Sequence, residues 1–280
     1  MAQDGLFPIE DAHRVTTPSG KVALVVSNFG EGVPTPVAIR SGGARGLLRF
    51  AGSSSETSIA DQRALLDFAE AAFRPGDLSN LALMSGGTRI TNGDHQVVMT
   101  ILELPALIRG WHPSCRTLGS VPRTTETMSL IGPYSTFVPS DRLDGHTLAH
   151  PGNDMLWIVQ INASQTSGYD LDIPLYLDVM DLVKAEGQAT GLFVWSGGRV
   201  TAMEIREALL RGHPCGVVIH SGRIATDLFF WLNGGHDQIA PDNRRIFGGW
   251  KKEGLDLSAL TLLDTPDETH AWLDACNFYT

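Results

Sequence analysis

LFVWSGGRV (residues 192–200) runs an apolar, strand-like segment straight into Ser-Gly-Gly, and the arrangement recurs as VAIRSGGAR (37–45), LALMSGGTR (81–89) and VVIHSGRIA (217–225). Each run is short, rich in β-branched or large apolar residues and closed by small ones, as a buried strand ending in a tight loop requires. Open parallel sheets bind phosphorylated ligands at such strand ends. There glycine lets a ligand approach the backbone, and the following helix presents its positive end. The repetition points to a nucleotide-type pocket.

Around these four segments the chain alternates strand-like runs with helical patterns, the signature of an α/β, Rossmann-like, doubly wound and mainly parallel sheet with helices on both faces. Lys21–Ser27 and Val37–Arg40 read as strands joined by a Gly- and Pro-rich turn. Ser58–Phe73 reads as a helix stopped by Pro75-Gly76, and Leu81–Met84 as a strand. A helix is expected from about Val97 to Arg109, kinked or cut short by Pro105. CRTLGSVPR supplies another strand, and Thr124–His150, polar and rich in Gly and Pro, reads as a lid. DMLWIVQI is a strand and Pro174–Glu186 a helix. Two strand–loop–helix units follow, GLFVWSGG into TAMEIREALLRG and GVVIHSGR into IATDLFFWLNGG, each helix closed by glycine. TPDETHAWLDACNFY opens with a capping pattern and reads as the last helix. No linker interrupts this order, so we read residues 1–36 as an N-terminal extension with a strand and 37–280 as one nucleotide-binding domain with a lid at 124–150.

The 280 residues are 42% hydrophobic, enough for a packed core, and 21 Lys+Arg against 31 Asp+Glu give a net charge of −10. That balance argues against nucleic acid or an anionic membrane as the main partner, while leaving room for a local basic pocket. Cys115, Cys215 and Cys276 are too few and too scattered for a disulfide framework or a CxxC metal site. The N-terminus lacks a basic start followed by an apolar run and no segment has the length of a membrane span, so a cytoplasmic location is expected.

Candidate ligand contacts are Ser41, Gly42, Gly43, Ala44 and Arg45 at the first turn, and Ser85, Gly86, Gly87, Thr88 and Arg89 at the second, with the Asn92-Gly93 turn beyond. The third turn adds Ser196, Gly197, Gly198, Arg199, Thr201 and Glu204, and the fourth Ser221, Gly222 and Arg223. Each arginine follows a Ser-Gly turn closely enough to fork onto phosphate oxygens, the alternative being a surface salt bridge. Arg89 and Arg223 are the leading pair. Thr201 and Glu204 have capping-box spacing; equally, Glu204 can face the pocket and contact a ribose hydroxyl or act as acid or base.

Ser196 to Glu204 resembles the Pro-Gly-Gly-x-Gly-Thr-x-x-Glu motif of the phosphoribohydrolases once taken for lysine decarboxylases, with Ser196 for Pro and Val200 for the third Gly. Gly42-Gly43-Ala44, Gly86-Gly87-Thr88 and His220 to Asp227 resemble loops of the wider SLOG superfamily, especially the LSDAT-like branch related to the N-terminal domain of melastatin-type TRP channels. The last loop departs by His220 for Gly and by Thr226 ahead of Asp227. The resemblance spans roughly residues 37–235 and implies a Rossmann-like pocket for nucleotides or ADP-ribose-like derivatives. Members that hydrolyse nucleoside monophosphates carry a Met-x-x-Arg-Lys helix whose Arg works with the motif's Glu. Met128, Met155 and Met180 are not followed by Arg-Lys at that spacing, so the familiar hydrolytic route lacks a part.

Other chemistries fall away on spacing. No HExxH occurs, and His146 with His150 lies in a Gly- and Pro-containing stretch, so no metal site is expected. GxSxG, GxxxxGK[ST] and a GxGxxG after the first strand are all absent, which disfavours triad hydrolases, P-loop enzymes and NAD(P)-dependent oxidoreductases. Trp157, Trp195 and Trp231 read as core or rim, Trp195 standing out beside Ser196. No cofactor is identified. The expected partner is a small nucleotide-type ligand held without turnover, with an effector protein or a change of homo-oligomer to report it. N-glycosidic hydrolysis with Glu204 as its catalytic group, and a ligand-free interaction module, are the alternatives.

Overall fold

Residues 46–52 (GLLRFAG) form a fully engaged central strand, because a mostly apolar run with residues buried on both faces needs neighbours on both edges and helices over both faces. The structure is a computed structural model and describes residues 12–16, 22–29, 44–53, 58–94, 96–122, 147–150, 152–153, 155–161, 170 and 173–279. The strands are β1 (Ala12–Thr16), β2 (Val22–Phe29), β3 (Gly46–Gly52), β4 (Leu81–Gly86), β5 (Thr88–Ile90) and β6 (Arg116–Pro122). They continue with β7 (Thr147–Ala149), β8 (Met155–Ile161), β9 (Ala189–Trp195), β10 (Cys215–Val218) and β11 (Leu260–Leu263). The helices are α1 (Ile59–Phe73), α2 (Leu104–Trp111), α3 (Ile173–Ala185), α4 (Arg199–Leu210), α5 (Arg223–Leu232), α6 (Pro241–Glu253) and α7 (Pro266–Ala275).

Nine strands make one sheet in the order β1-β2-β8-β6-β4-β3-β9-β10-β11, parallel throughout except for the antiparallel β1–β2 edge. β5 and β7 form a separate antiparallel pair. Alternate residues of each strand feed opposite faces. Leu47, Ala51, Met84, Leu192, Val194 and Val217 pack under α3, α4, α5 and α6. Leu48, Phe50, Leu83, Phe193 and Val218 pack under α1, α2 and α7, where Phe50, Phe73 and Phe193 meet edge to face at 5.1–5.8 Å. The doubly wound, mainly parallel α/β arrangement expected from the sequence is the observed one.

Local signals fix the helix ends. Ser58 and Asp61 close a reciprocal capping box on α1, and Thr265 and Glu268 do so on α7. Gly212 and Gly234, both at positive φ, follow the last turns of α4 and α5. Two expectations change. The helix read from Val97 is a 3-10 turn, Ile101–Glu103, followed by α2, and Pro105 lies in α2's first turn, where its missing N–H costs nothing. α6 and β11 occupy residues left unassigned in the sequence. The strand read at Val37–Arg40 and the loop Ser41–Gly43 lie outside the described residues, as does the lid up to residue 146; its end, Thr147–Ala149, is β7.

The chain leaves β3 through α1 on one face toward β4, and leaves β9 through α4 on the other face toward β10. The crevice of a doubly wound sheet opens where such paths diverge, here between the C-terminal ends of β3 and β9.

Candidate functional site

Three loops meet at that point. The Ser53 N–H, one residue past β3, donates to the Trp195 carbonyl at the end of β9 (3.3 Å). The Ser221 hydroxyl, past β10, accepts from the Ser196 N–H at 2.6 Å and donates to the Val218 carbonyl at 2.5 Å. Ile224 N–H donates to the Gly197 carbonyl at 3.2 Å, and Thr226 Oγ1 takes the Gly222 N–H at 2.9 Å. The loops turn through left-handed backbone at Ser196 (φ 60°), Gly197 (101°), Gly222 (92°) and Arg223 (51°). Such backbone at Ser196 and Arg223, which carry a Cβ, is strain that the surrounding bonds hold in place.

The helices that leave these loops begin with a glycine followed by an arginine. α4 starts from Gly198 with Arg199 first, and α5 from Gly222 with Arg223 first. A glycine cap has no side chain to accept the first-turn N–H groups, and neither helix has an acidic residue in its first turn. In α4 the hydroxyl of Thr201 reaches back to the Gly198 N–H at 3.4 Å, and the other N–H groups of that turn get nothing from a cap. By contrast α1 and α7 begin with Ser or Thr and an acid three residues on. The exposed Arg223 crosses from the β10 loop, its guanidinium donating to Ser53 Oγ at 3.0 Å and passing near Gly198. Arg199 is exposed beside it.

Glu204 does not close a capping box with Thr201, because the helix starts at Gly198 and Thr201 is already in its third position. Its buried carboxylate meets Arg49 Nη2 at 2.9 Å and the Tyr176 hydroxyl at 2.8 Å, and the Arg49 guanidinium lies 4.2 Å from the centre of the Tyr176 ring. Arg49 stands mid-strand on β3 between the inward-facing Leu47 and Ala51, so a charge sits in an otherwise apolar layer beneath the crevice. No sequence expectation touched Arg49 or Tyr176; an arginine inside an apolar strand (LLRFAG) was the available signal. Gly52-Ser53 was likewise missed, although AGSSS ends β3 in the manner of the turns singled out.

The remaining predicted residues lie elsewhere. Ala44 and Arg45 precede β3 and so sit at the N-terminal ends of the strands, opposite the crevice. Arg45 is spent on the carbonyls of Ser79 (2.8 Å), Asp77 (3.1 Å) and Phe278, tying the C-terminal segment to the start of the strand. Ser85, Gly86 and Gly87 do end β4, but that loop is filled. Ser85 is buried with its hydroxyl on the Leu102 carbonyl at 3.3 Å, and the Leu102 side chain covers Gly86. Gly87 pairs with Ser120 and His150, and Thr88 enters β5 opposite Ala149. Arg89 is clasped through two bonds of 2.8 and 2.6 Å by Glu103 rather than turned to the crevice. Asn92 caps a surface turn through Gln96 and Asp94, with Gly93 exposed at its tip.

Two buried networks hold titratable groups. His150 accepts the Gly152 N–H on Nδ1 (2.9 Å), so Nε2 bears the hydrogen facing Glu103 at 3.2 Å. Burial pushes the Glu103 carboxyl up, yet bonds from His150 and Arg89 outweigh it and hold it below the ordinary 4.5. At the other edge, burial pushes His213 down to about 4 from 6.5, and the neutral ring bridges Asp181 (2.9 Å) and Thr190 (3.0 Å). Between pH 6.5 and about 4 the unfolded chain therefore takes up a proton that the folded His213 refuses, so stability falls with pH across that window. The lowered Glu103 adds stability above 4.5 that is lost as pH falls through its folded value. Urea denaturation at stepped pH should show the midpoint declining from about pH 6.5 downward, and His213→Gln should flatten the upper part of that decline.

No protein-family model matches the chain, and no curated protein matches it. Among solved structures, the X-ray structure of TM1055, a Northeast Structural Genomics Consortium target, is similar at 13% identity over 82% of this chain and 98% of that one, with a TM-score of 0.42. Among the described residues no helix is long and apolar enough to cross a membrane, and no cluster of three or more His, Cys, Asp or Glu is arranged for a metal ion.

Proposed function

We propose that the chain binds a nucleotide, or a nucleotide-derived anion such as an ADP-ribose-like molecule, in the crevice at the ends of β3, β9 and β10, and holds it without turnover. One observation carries this reading. α4 and α5 begin side by side with glycine caps, leading arginines and no first-turn acid, whereas α1 and α7 are closed by capping boxes. Concentrating positive helix ends and guanidinium groups raises the energy of the empty site and rewards an anion placed there. Turnover is disfavoured because Glu204, the catalytic candidate, is already engaged by Arg49 and Tyr176 below the crevice.

Arg223→Ala should raise the Kd for a nucleoside diphosphate about tenfold or more, the worth of one charged hydrogen bond, while the melting temperature stays near wild type because the residue is exposed. Arg89→Ala should do the reverse, lowering the melting temperature by leaving the buried Glu103 with His150 alone, and sparing affinity. Calorimetric titration decides, and an unchanged Kd in Arg223→Ala removes the proposed phosphate contact. The buried Arg49–Glu204 pair also gives N-glycosidic hydrolysis a footing, with an arginine delivered from a strand. Chromatography of nucleoside monophosphates and NAD incubated with the protein separates the readings: free base released in a Glu204-dependent manner overturns binding without turnover.

A further inference from the structure

We infer that Trp195 is the platform on which the base of that nucleotide stacks, an inference that rests on the nucleotide-binding reading above. Phe193 and Trp195 occupy the same face of β9, two residues apart. Phe193 is wholly buried among Phe50, Phe73 and Phe68, whereas Trp195, the last residue of the strand, is only half-buried. The aromatic column thus rises out of the core at the crevice. Its position is fixed from two sides: the indole packs 5.1 Å from Phe68 of α1, and the backbone carbonyl takes the Ser53 N–H.

The neighbour of Trp195 in the sheet on the β3 side is Gly52, which has no side chain to stand beside the indole. On the β10 side the neighbour is the short, buried Val218. Next in sequence comes Ser196, where the backbone turns left-handed and leads to the cap of α4 on the opposite face of the sheet. The crevice is therefore divided by chemistry, an aromatic wall on the α1 side and a cationic, glycine-lined wall on the α4 and α5 side. A molecule joining a flat heteroaromatic ring to an anionic group through a short polar linker fits that division, and a sugar phosphate without a base uses only half of it. Indole stacking is tolerant of base identity, so Trp195 selects for a base rather than for a particular one.

The test titrates the full chain with ADP and with inorganic pyrophosphate, which carries the anion without the base. Trp195→Ala should weaken ADP about tenfold or more and leave pyrophosphate unchanged. Trp195→Phe should keep most ADP affinity by calorimetry while losing the fluorescence change that ADP causes in the wild type, a readout that does not depend on the alanine variant folding. Equal losses for ADP and pyrophosphate, or none for either, overturn the stacking role and leave the anion site standing. Wild-type protein that binds neither probe overturns the nucleotide reading and the platform together.

Discussion

Arg49→Met costs about 3–5 kcal/mol of folding stability, the range seen when one partner of a buried ion pair is removed. The reason lies in what is left behind. Glu204 sits under the sheet with its carboxylate on Arg49 and Tyr176, and without the guanidinium it keeps one neutral hydroxyl as its partner in an apolar layer. It must then either remain charged without compensation or take up a proton, and both raise the energy of the folded state. The cation also loses its place 4.2 Å from the Tyr176 ring centre. Pairing the change with Glu204→Met should recover most of the loss, because well-packed apolar groups replace a buried pair at little cost. Urea midpoints of the single and double variants measure this directly. A loss below about 1 kcal/mol in Arg49→Met would show that the pair contributes no more than an exposed one.

Gly52→Ala should lower stability by about 3 kcal/mol, a fall in melting temperature of roughly 5–10 °C, and should distort the crevice as well. A Cβ at Gly52 would lie 2.0 Å from the Trp195 carbonyl oxygen, a backbone atom of the paired strand that no rotamer can move aside. Relief requires the ends of β3 and β9 to separate, which breaks the Ser53 N–H bond to Trp195 and shifts the Ser196 turn. Gly198→Ala is the control: its φ of −134° is not left-handed, and the nearest atom to its Cβ is the end of the long Arg223 side chain, Nη2 at 3.5 Å, an ordinary contact. Equal melting temperatures for the two variants would remove the steric argument.

Much of the fold is legible in sequence because its signals are local. Ser58 with Asp61, Thr265 with Glu268, and the glycines after α4 and α5 act within one helical turn, and the same few residues are both signal and structure. The Ser-Gly turns are local too, and those at Ser196 and Ser221 stand together because β9 and β10 are neighbours. Their grouping with the other turns is not local. The second turn has the same residues as the third, yet the 3-10 turn before α2 fills it and Glu103 takes its arginine. Arg45 is at the far end of the strands from the crevice, because it precedes β3, which begins at Gly46.

The alternation of strands and helices, the helix ends, and the presence of small-residue turns suited to an anion are all written in the chain itself. Each follows from contacts a few residues long, set by backbone geometry and by the period of apolar side chains. Which turns form one site, and what Glu204 does, depend instead on the assembled sheet. The partner of Glu204, Arg49, is 155 residues away, and Arg223 reaches a hydroxyl 170 residues away. Those meetings follow from strand order, in which β3 lies beside β9 because the chain winds outward from them in opposite directions. A crossover direction is chosen by the packing of whole layers, and no short stretch of residues encodes it.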